Sequence, residues 1–240
     1  MARKGGKKSN NRLAASKAMQ LRRKEFTWTI RANSGPHSRQ KSMPIGFALR
    51  DLLHLAENMK EVKFMLNKGI VSVDGRAVRD YKFPVGLFDL ISTSAENKTY
   101  RVLFDRKGRL VLKEEKTNVR QKLCKVVAKG VAKKGLIQLH SNDGRTFSVK
   151  KSDANIGDTL LVRVPQQSIE QQFRLAAGNT VLLTGGTNVG MVASIKKITE
   201  ATMQRQKLIT LSSEGKDFQT TESNVFVVGE KKPAIEVKVQ

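Results

Sequence analysis

The sequence lacks what disulfide-bonded and membrane-spanning proteins require. Its 240 residues hold a single cysteine, Cys124, which excludes an intramolecular disulfide framework and a zinc site built from several thiolates. No stretch approaches the roughly 18 consecutive apolar residues of a membrane-spanning helix. The basic N-terminus is not followed by an apolar segment, so it does not have the pattern of a secretory signal. We therefore expect a cytoplasmic protein.

Acidic and aromatic residues are also scarce. There are 21 Asp and Glu against 45 Lys and Arg, which gives a formal net charge of +24. So many positive charges repel one another in a compact fold, so we expect a polyanionic partner that neutralises them. Ten Phe, two Tyr and one Trp are too few for one large core. Because apolar residues still make up 39% of the chain, we expect several small cores.

Residues 1–42 carry nearly half of the excess charge. They contain twelve basic residues and one acidic residue, and they are too poor in apolar residues to fold alone. The apolar residues between Leu13 and Leu21 recur at helical spacing, whereas those between Phe26 and Ile30 alternate as in an extended segment. This mixture of basic and apolar residues favours an arm that becomes ordered on RNA over a solvated basic tail.

Residues 43–98 have the pattern of a small α+β module. A helix is predicted to begin after Pro44, and a second short helix is predicted to end before Gly69. Asp74-Gly75 then separates two short apolar runs, which is a strong signal for a β-hairpin with a two-residue turn.

The rest of the chain predicts strands. Residues 99–170 contain short apolar runs with polar turns between them, the first turn at residues 105–108, which is typical of a β-barrel or sandwich. Residues 171–240 contain further short runs, with glycines where tight turns need a positive φ. The predicted fold class is multidomain and mainly β, with a basic arm, a small α+β module, a central barrel-like β domain and a C-terminal β unit.

No set of residues has the pattern of an enzyme site. The three histidines are far apart in sequence and do not form a metal-ligand repeat. Gly185 and Gly190 have the spacing of a phosphate-binding loop, but Met191 stands where that loop requires lysine. Cys124 lies in an apolar-rich run and is expected to be a small buried side chain. We therefore predict no catalytic residues, metal, cofactor or small-molecule substrate.

Two segments resemble known RNA-binding modules. Residues 43–92 resemble the helix-pair and hairpin module named after bacterial small-subunit ribosomal protein four, through LRDLL at residues 49–53 and NKGIVSVDGR at residues 67–76. Lys60 stands where that module usually has arginine, so a bidentate phosphate contact is not expected there. Residues 178–195 resemble a KOW motif, which is the strand-loop-strand of a small SH3-like barrel.

The order of these parts, with SGPH at residues 34–37 and KLCKV at residues 122–126, resembles the S4e family of archaeal and eukaryotic small-subunit ribosomal proteins over the whole chain. Because the chain ends soon after the predicted barrel, the archaeal branch is favoured. The resemblance implies a structural constituent of the small ribosomal subunit that binds and stabilises its 16S-type rRNA beside other small-subunit proteins and so supports translation. The predicted segments are the arm (1–42), the helix-pair module (43–98), the central β domain (99–170) and the KOW-containing barrel (171–240).

The expected rRNA contacts are lysines and arginines that neutralise phosphates. On the arm they are Arg3, Lys4, Lys7, Lys8, Arg12, Lys17, Arg22, Arg23 and Lys24, with Trp28 either stacked on a base or packed against the module. In the module they are Arg50, Lys60, Lys63, Lys68, Arg76 and Arg79, and in the central β domain Lys129, Lys133 and Lys134. Two other hypotheses stay open: a free transcription or translation factor built on the KOW barrel, and an RNA-modifying enzyme. The long basic arm favours the ribosomal protein, since a reversible factor gains little from an arm that must order each time.

Overall fold

The computed structural model describes residues 9–132, 135–150, 152–202, 206–213 and 215–237. Strands predominate and helices are few, which confirms the predicted mainly β architecture. The chain divides into two compact units, the first running to Val102 and including Arg109–Glu115, the second comprising Leu103–Gly108 and the chain from Lys116 onward. Within the described ranges, no helix is long and apolar enough to cross a membrane.

The first unit combines short helices with small antiparallel sheets. Its elements are β1 (Ser9–Asn11), β2 (Trp28–Ile30), β3 (Ser42–Pro44), α1 (Ile45–Phe47) with a π-helical turn (Ala48–Leu52), α2 (Met59–Asn67), β4 (Val71–Val73), β5 (Arg76–Ala77), β6 (Pro84–Gly86), β7 (Leu90–Thr93), most of β8 (Lys98–Phe104) and β9 (Leu110–Glu114). β1 pairs with β2 and β3 with β6, while the larger sheet has the order β5-β4-β7-β8-β9.

Local signals account for the helices of this unit. α1 begins directly after Pro44, as predicted, and Pro44 has the extended backbone of a residue that precedes a helix. The carboxylate of Glu61 stabilises the start of α2 by accepting the backbone N–H groups of Glu57 and Asn58 at 2.8 and 3.4 Å. α2 ends before Gly69, whose φ is +71°, a backbone conformation that favours glycine at a helix C-terminus.

The hairpin between β4 and β5 is also confirmed. Val73 pairs with Arg76 across a two-residue turn, and Asp74 and Gly75 have φ values of +50° and +75°, as a type I′ turn requires. The Asp74 carboxylate accepts the Leu90 N–H at 3.0 Å. This bond ties the turn to β7 and fixes the direction in which the hairpin leaves the sheet.

β8 and β9 lie in the sheet of the first unit and not in the predicted central β domain. The turn at residues 105–108 is present, with the Gly108 N–H donating to the Asp105 carbonyl at 2.8 Å. β8, however, pairs with β7, and the buried Arg101 guanidinium donates to the Glu115 carboxylate at 2.8 Å. Because β8 and β9 both lie in the module sheet, a boundary between residues 98 and 99 cuts through that sheet.

The second unit contains two five-stranded antiparallel sheets. Its elements are β10 (Gln121–Val131), β11 (Ile137–Ser141), β12 (Thr146–Val149), β13 (Thr159–Arg163), β14 (Ser168–Phe173), β15 (Thr180–Leu183), β16 (Val192–Thr199), β17 (Leu208–Ser213), β18 (Lys216–Thr221), a 3-10 turn (Glu222–Asn224) and β19 (Val225–Gly229). The sheet orders are β12-β11-β10-β13-β14 and β18-β17-β16-β15-β19. Cys124, Val126, Leu139, Phe147 and Leu160 are among the buried side chains that form the core of the first sheet.

Residues 13–21 do not form the helix that their spacing predicts. They form tight turns, in which Nη1 of Arg23 donates to the carbonyls of Leu13 and Ala15 at 2.9 and 3.2 Å. These carbonyls are bound by a side chain, so they do not accept the backbone N–H groups that a helix would supply. The extended run predicted around Trp28 is confirmed as β2, which pairs with β1.

Candidate RNA-binding surface

The exposed face of α2 carries cations around an aromatic ring. The helix buries its apolar stripe, and its solvent side carries Lys60, Lys63, Phe64 and Lys68 at helical spacing. The Phe64 side chain is 58% exposed, and the Lys68 ammonium lies 4.2 Å from its ring centroid. An exposed ring beside an ammonium group offers a stacking face for a base and positive charge for the adjoining phosphate.

A second ring lies beside this face. Tyr81 follows β5, and its ring centroid lies 4.9 Å from the Lys63 ammonium and 5.5 Å from the Lys82 ammonium. The loop is held by its backbone, since the Tyr81 carbonyl accepts the Gly46 N–H at 2.9 Å. Arg79 is exposed in the same loop. We call this group the α2 surface; it consists of Lys60, Lys63, Phe64, Lys68, Arg79, Tyr81 and Lys82.

The two other predicted contacts of the module differ in their surroundings. Arg76 is exposed on β5. Arg50 is half-buried, and its guanidinium donates to the Asp51 carboxylate at 2.8 Å. Because this carboxylate already neutralises the guanidinium, Arg50 offers a phosphate less net charge than the lysines of the α2 surface do.

Two arginines predicted as arm contacts are bound inside the fold. Arg12 is 5% exposed, and it donates to the carbonyls of Arg22 and Trp28 at 2.9 and 3.3 Å. Arg23 donates to four carbonyls between residues 12 and 16. These bonds use donors that an arginine needs for a bidentate phosphate contact, so both side chains shape the turns of the arm.

Other predicted contacts of the arm are exposed. Lys17, Arg22 and Lys24 lie in solvent, and the Arg22 guanidinium donates to the Glu25 carboxylate at 2.9 Å. Trp28 is 62% exposed and Phe26 is 66% exposed, so Trp28 is not packed into a core. The exposed ring of Trp28 could therefore be reached by a base, and base stacking stays a prediction.

The predicted contacts of the central β domain lie at the end of β10. Lys129 is exposed, and its ammonium donates to the carbonyls of Ser152 and Ala154 at 3.3 and 3.1 Å. Lys133 and Lys134 lie outside the described residues, as do Arg3, Lys4, Lys7 and Lys8 on the arm.

Part of the charge of the second unit is buried. The Lys122 ammonium lies 2.9 Å from the Asp143 carboxylate, with both side chains at most 2% exposed, and Arg145 lies 3.1 Å from the same oxygen. Desolvation opposes ionisation, but Lys122, the Ser141 hydroxyl and Arg145 outweigh it and hold the pKa of Asp143 below its usual value. Cys124 is buried, as predicted, and desolvation raises the pKa of its thiol.

Sequence reasoning missed the rings of the α2 surface. A signal existed for Phe64, because it lies outside the apolar stripe that Val62 and Leu66 bury, whereas nothing in the sequence places Tyr81 beside Lys63. In the parts of the chain that the structure describes, no group of three or more His, Cys, Asp and Glu side chains is arranged to hold a metal ion.

Comparisons with known proteins all find similarity to the same family of ribosomal proteins. A family model described as ribosomal family S4e matches residues 96–169, and an RS4NT domain model matches residues 4–40. The chain is 40% identical to small ribosomal subunit protein eS4 of Methanococcus maripaludis strain S2, over 98% of this chain and 99% of that relative. It is 39% identical to the protein of the same name from Methanocaldococcus jannaschii, over 99% and 100%. The crystal structure of the 30S ribosomal protein S4e from Thermoplasma acidophilum matches with a TM-score of 0.68 and 34% identity, over 79% of this chain and 96% of that chain.

Proposed function

Since the chain belongs to the S4e family of small-subunit ribosomal proteins, we propose that it binds and stabilises small-subunit rRNA and thereby supports translation. It is a structural constituent of the ribosome and not an enzyme. Its partners are the 16S-type rRNA and neighbouring small-subunit proteins. Binding is electrostatic and architectural: cations replace the counterions of the phosphates, and exposed rings stack on unpaired bases.

The α2 surface carries this proposal. Its lysines lie beside two rings. The ring of Phe64 is fixed on α2, and that of Tyr81 on a loop held by a backbone hydrogen bond. A core would bury Phe64, whereas its phenyl ring is 58% exposed and lies beside the Lys68 ammonium. RNA single strands and loops supply both the stacking base and the phosphate that this surface fits. The helix-pair module of ribosomal-protein-four type, residues 43–98, is thus one binding module.

The arm supplies a second contact region. Lys17, Arg22, Lys24 and Trp28 are its exposed contacts, and Arg12 and Arg23 fix the turns that present them. The basic residues Arg3, Lys4, Lys7 and Lys8 extend this region in the sequence. We assign phosphate contacts to these four residues and to Lys133 and Lys134 from the sequence alone.

The C-terminal residues 171–240 are the proposed SH3-like KOW barrel. Support comes from the five-stranded antiparallel sheet and from the glycine-containing loop between β15 and β16. Within residues 99–170, the five-stranded sheet formed by β10 to β14 is the proposed central β domain, with Lys129 as an rRNA contact, whereas β8 and β9 belong to the module sheet. We assign the sheets the role of rigid supports for basic loops.

Sedimentation of a gently prepared lysate tests the ribosomal role. The protein should be recovered in stoichiometric amount with small subunits, and it should stay there after a high-salt wash that removes weakly bound factors. Recovery only at the top of the gradient would contradict the proposal and would favour a free factor.

Salt-dependent binding tests the proposed mechanism. For six to ten phosphate contacts, affinity for a 16S-type rRNA transcript should fall by about 10³–10⁵ between roughly 50 and 200 mM salt. Deleting residues 1–8 removes four cations without removing any described residue, and it should reduce the slope of log affinity against log salt by about three. The matched control replaces those four cations with glutamine at full length. A flat salt response of the intact chain would mean that its charge is not the binding surface.

A further inference from the structure

The turn between β8 and β9 lies directly against the loop between β15 and β16. A Cβ placed on Gly190 would lie 2.9 Å from the carbonyl carbon of Asp105 and 3.2 Å from Cα of Arg106. Across the same contact, a Cβ on Gly108 would lie 3.1 Å from the Val189 side chain. Such close backbone approach requires glycine at position 190, where φ is also +79°. Both segments belong to the second unit.

The loop between β15 and β16 is itself firmly held. The Gly190 N–H donates to the Leu183 carbonyl at 2.8 Å, and the Leu183 N–H donates to the Met191 carbonyl at 3.0 Å. Below the loop, the Thr184 N–H donates to the Asn224 carbonyl at 2.8 Å. These bonds join the loop to its own strands and to the 3-10 turn that precedes β19, so the loop can act as a fixed support for the turn that rests on it.

The charge at this contact comes from the turn alone. Residues 184–191 carry no charged side chain, whereas Arg106 and Lys107 are adjacent and exposed. The Asp105 carboxylate accepts the Arg106 N–H at 2.7 Å, and the Gly108 N–H closes the turn. The turn therefore presents two cations beside one carboxylate, which is bound to the turn's own backbone, and its conformation is fixed by its hydrogen bonds and by the loop beneath it.

We propose that Arg106 and Lys107 form an rRNA phosphate-binding site, and that the glycine loop of the KOW-like segment positions this site. The inference rests on the proposed rRNA binding and adds a contact that charge clustering in the sequence did not single out. An arginine fork and a lysine point charge side by side suit neighbouring phosphates of one strand. A protein partner fits less well, because the exposed residues around the turn are polar and Val189 and Met191 are half-buried.

The direct test neutralises the two cations in the full-length chain. Arg106→Gln combined with Lys107→Gln should weaken binding to a 16S-type rRNA transcript and lower the salt slope by about two. The control is Lys231→Gln combined with Lys232→Gln, an adjacent exposed pair in the same unit, which removes the same charge. An equal decrease in both double variants would overturn the proposal, since the effect would then be one of net charge.

The positioning role has its own matched pair of variants. Gly190→Ala and Gly215→Ala impose the same backbone strain, because φ is +79° at both positions, but an added Cβ meets nothing within 4 Å at position 215. Only Gly190→Ala should lower the rRNA salt slope, and it should have little further effect when Arg106 and Lys107 are already glutamine. Thermal unfolding of both alanine variants separates this local effect from a general loss of fold.

Three outcomes would count against the inference in distinguishable ways. If the affinity of the wild-type chain falls steeply with salt and the Arg106/Lys107 double variant has the same slope, this site is wrong while the proposed rRNA binding stands. If the wild-type chain itself responds weakly to salt, the proposed function fails first. If the double variant binds naked rRNA normally but is lost from small subunits, the turn contacts a neighbouring protein and the assignment to phosphate is wrong.

Discussion

The buried ion pair of the second unit predicts that Asp143→Asn destabilises the protein strongly. Lys122 and Asp143 lie 2.9 Å apart with side chains 2% and 1% exposed, and Arg145 approaches the same carboxylate oxygen. Asparagine keeps the shape of the side chain but removes its charge. The Lys122 ammonium then stays in the interior and loses its ion pair with the Asp143 carboxylate.

The expected cost is about 3–5 kcal/mol, because the substitution breaks a buried ion pair by removing the charge of one partner. A folded domain is stable by only about 5–15 kcal/mol, so the variant loses a large part of its stability. At about 2–4 °C per kcal/mol for a chain of this size, the midpoint of the affected transition should fall by roughly 6–20 °C. Arg145 is 15% exposed and can turn toward water, which places the expected loss nearer the lower value.

Cys124 provides an assay specific for this unit. It is the single cysteine of the chain, it is fully buried in the core of the first sheet, and a thiol reagent reaches it only when that core opens. At subdenaturing urea, a loss of about 3 kcal/mol should speed labelling by about 10²-fold. Circular dichroism on the same samples reports whether the whole unit melts.

The control is Asp217→Asn, which removes a carboxylate partner from Lys196 where both side chains are about half exposed. Exposed ion pairs contribute little because water and salt screen them, so this variant should label like the wild type. An Asp143→Asn variant that labels no faster than Asp217→Asn would refute the reasoning.

The pH dependence has a definite sign. The folded-state pKa of Asp143 is lowered, so its ionised form stabilises the fold above the unfolded pKa of about 3.9. This contribution is lost as pH falls through the folded pKa. The stability difference between wild type and Asp143→Asn should therefore be constant from about pH 7 to pH 5 and shrink below about pH 4. A difference that disappears near pH 6 would assign the effect to another group.

Three further tests address other parts of the molecule. In native buffer, Cys124 should resist thiol reagents, because burial shields the sulfur and raises its pKa; labelling at the rate of an exposed thiol would contradict its buried position. Gly86→Ala should lower the thermal midpoint of the first unit, because the new Cβ would lie 2.6 Å from Nδ1 of the buried His37, and overpacking costs about 1–3 kcal/mol. Lys63→Gln combined with Lys68→Gln should lower the rRNA salt slope by about 1.4–1.8 in filter binding; an unchanged slope would remove the α2 surface from the interface.

The elements that the sequence predicted well depend on local physical chemistry. Asp74-Gly75 predicts a hairpin because few residue pairs tolerate two positive φ values in succession, and the structure has +50° and +75° there. Gly69 marks the end of α2 for the same reason. These signals lie within a few residues of the structure that they specify, so no knowledge of the rest of the fold is needed to interpret them.

The sequence does not predict which distant strands pair or which distant side chains form ion pairs. β8 is an apolar run in either grouping, and its place in the module sheet follows from pairing with β7 and from the buried bond between Arg101 and Glu115. A charged residue within an apolar run gives no indication of which carboxylate will meet it. The helical spacing of residues 13–21 was misleading because the competing donor, Arg23, comes after the segment whose carbonyls it binds.

In the candidate site, too, the net charge can be predicted from the sequence, but the cations that are available to contact RNA cannot. Arg12, Arg23 and Lys125 count fully toward the formal charge of +24, yet all three donate to backbone carbonyls; Lys125 binds those of Glu222 and Val225 at 2.6 and 2.7 Å. A cation bound in this way still attracts RNA over a distance, but its directional donors are used inside the protein. Composition therefore predicts the long-range attraction, whereas the contacts depend on which cations the fold leaves at its surface.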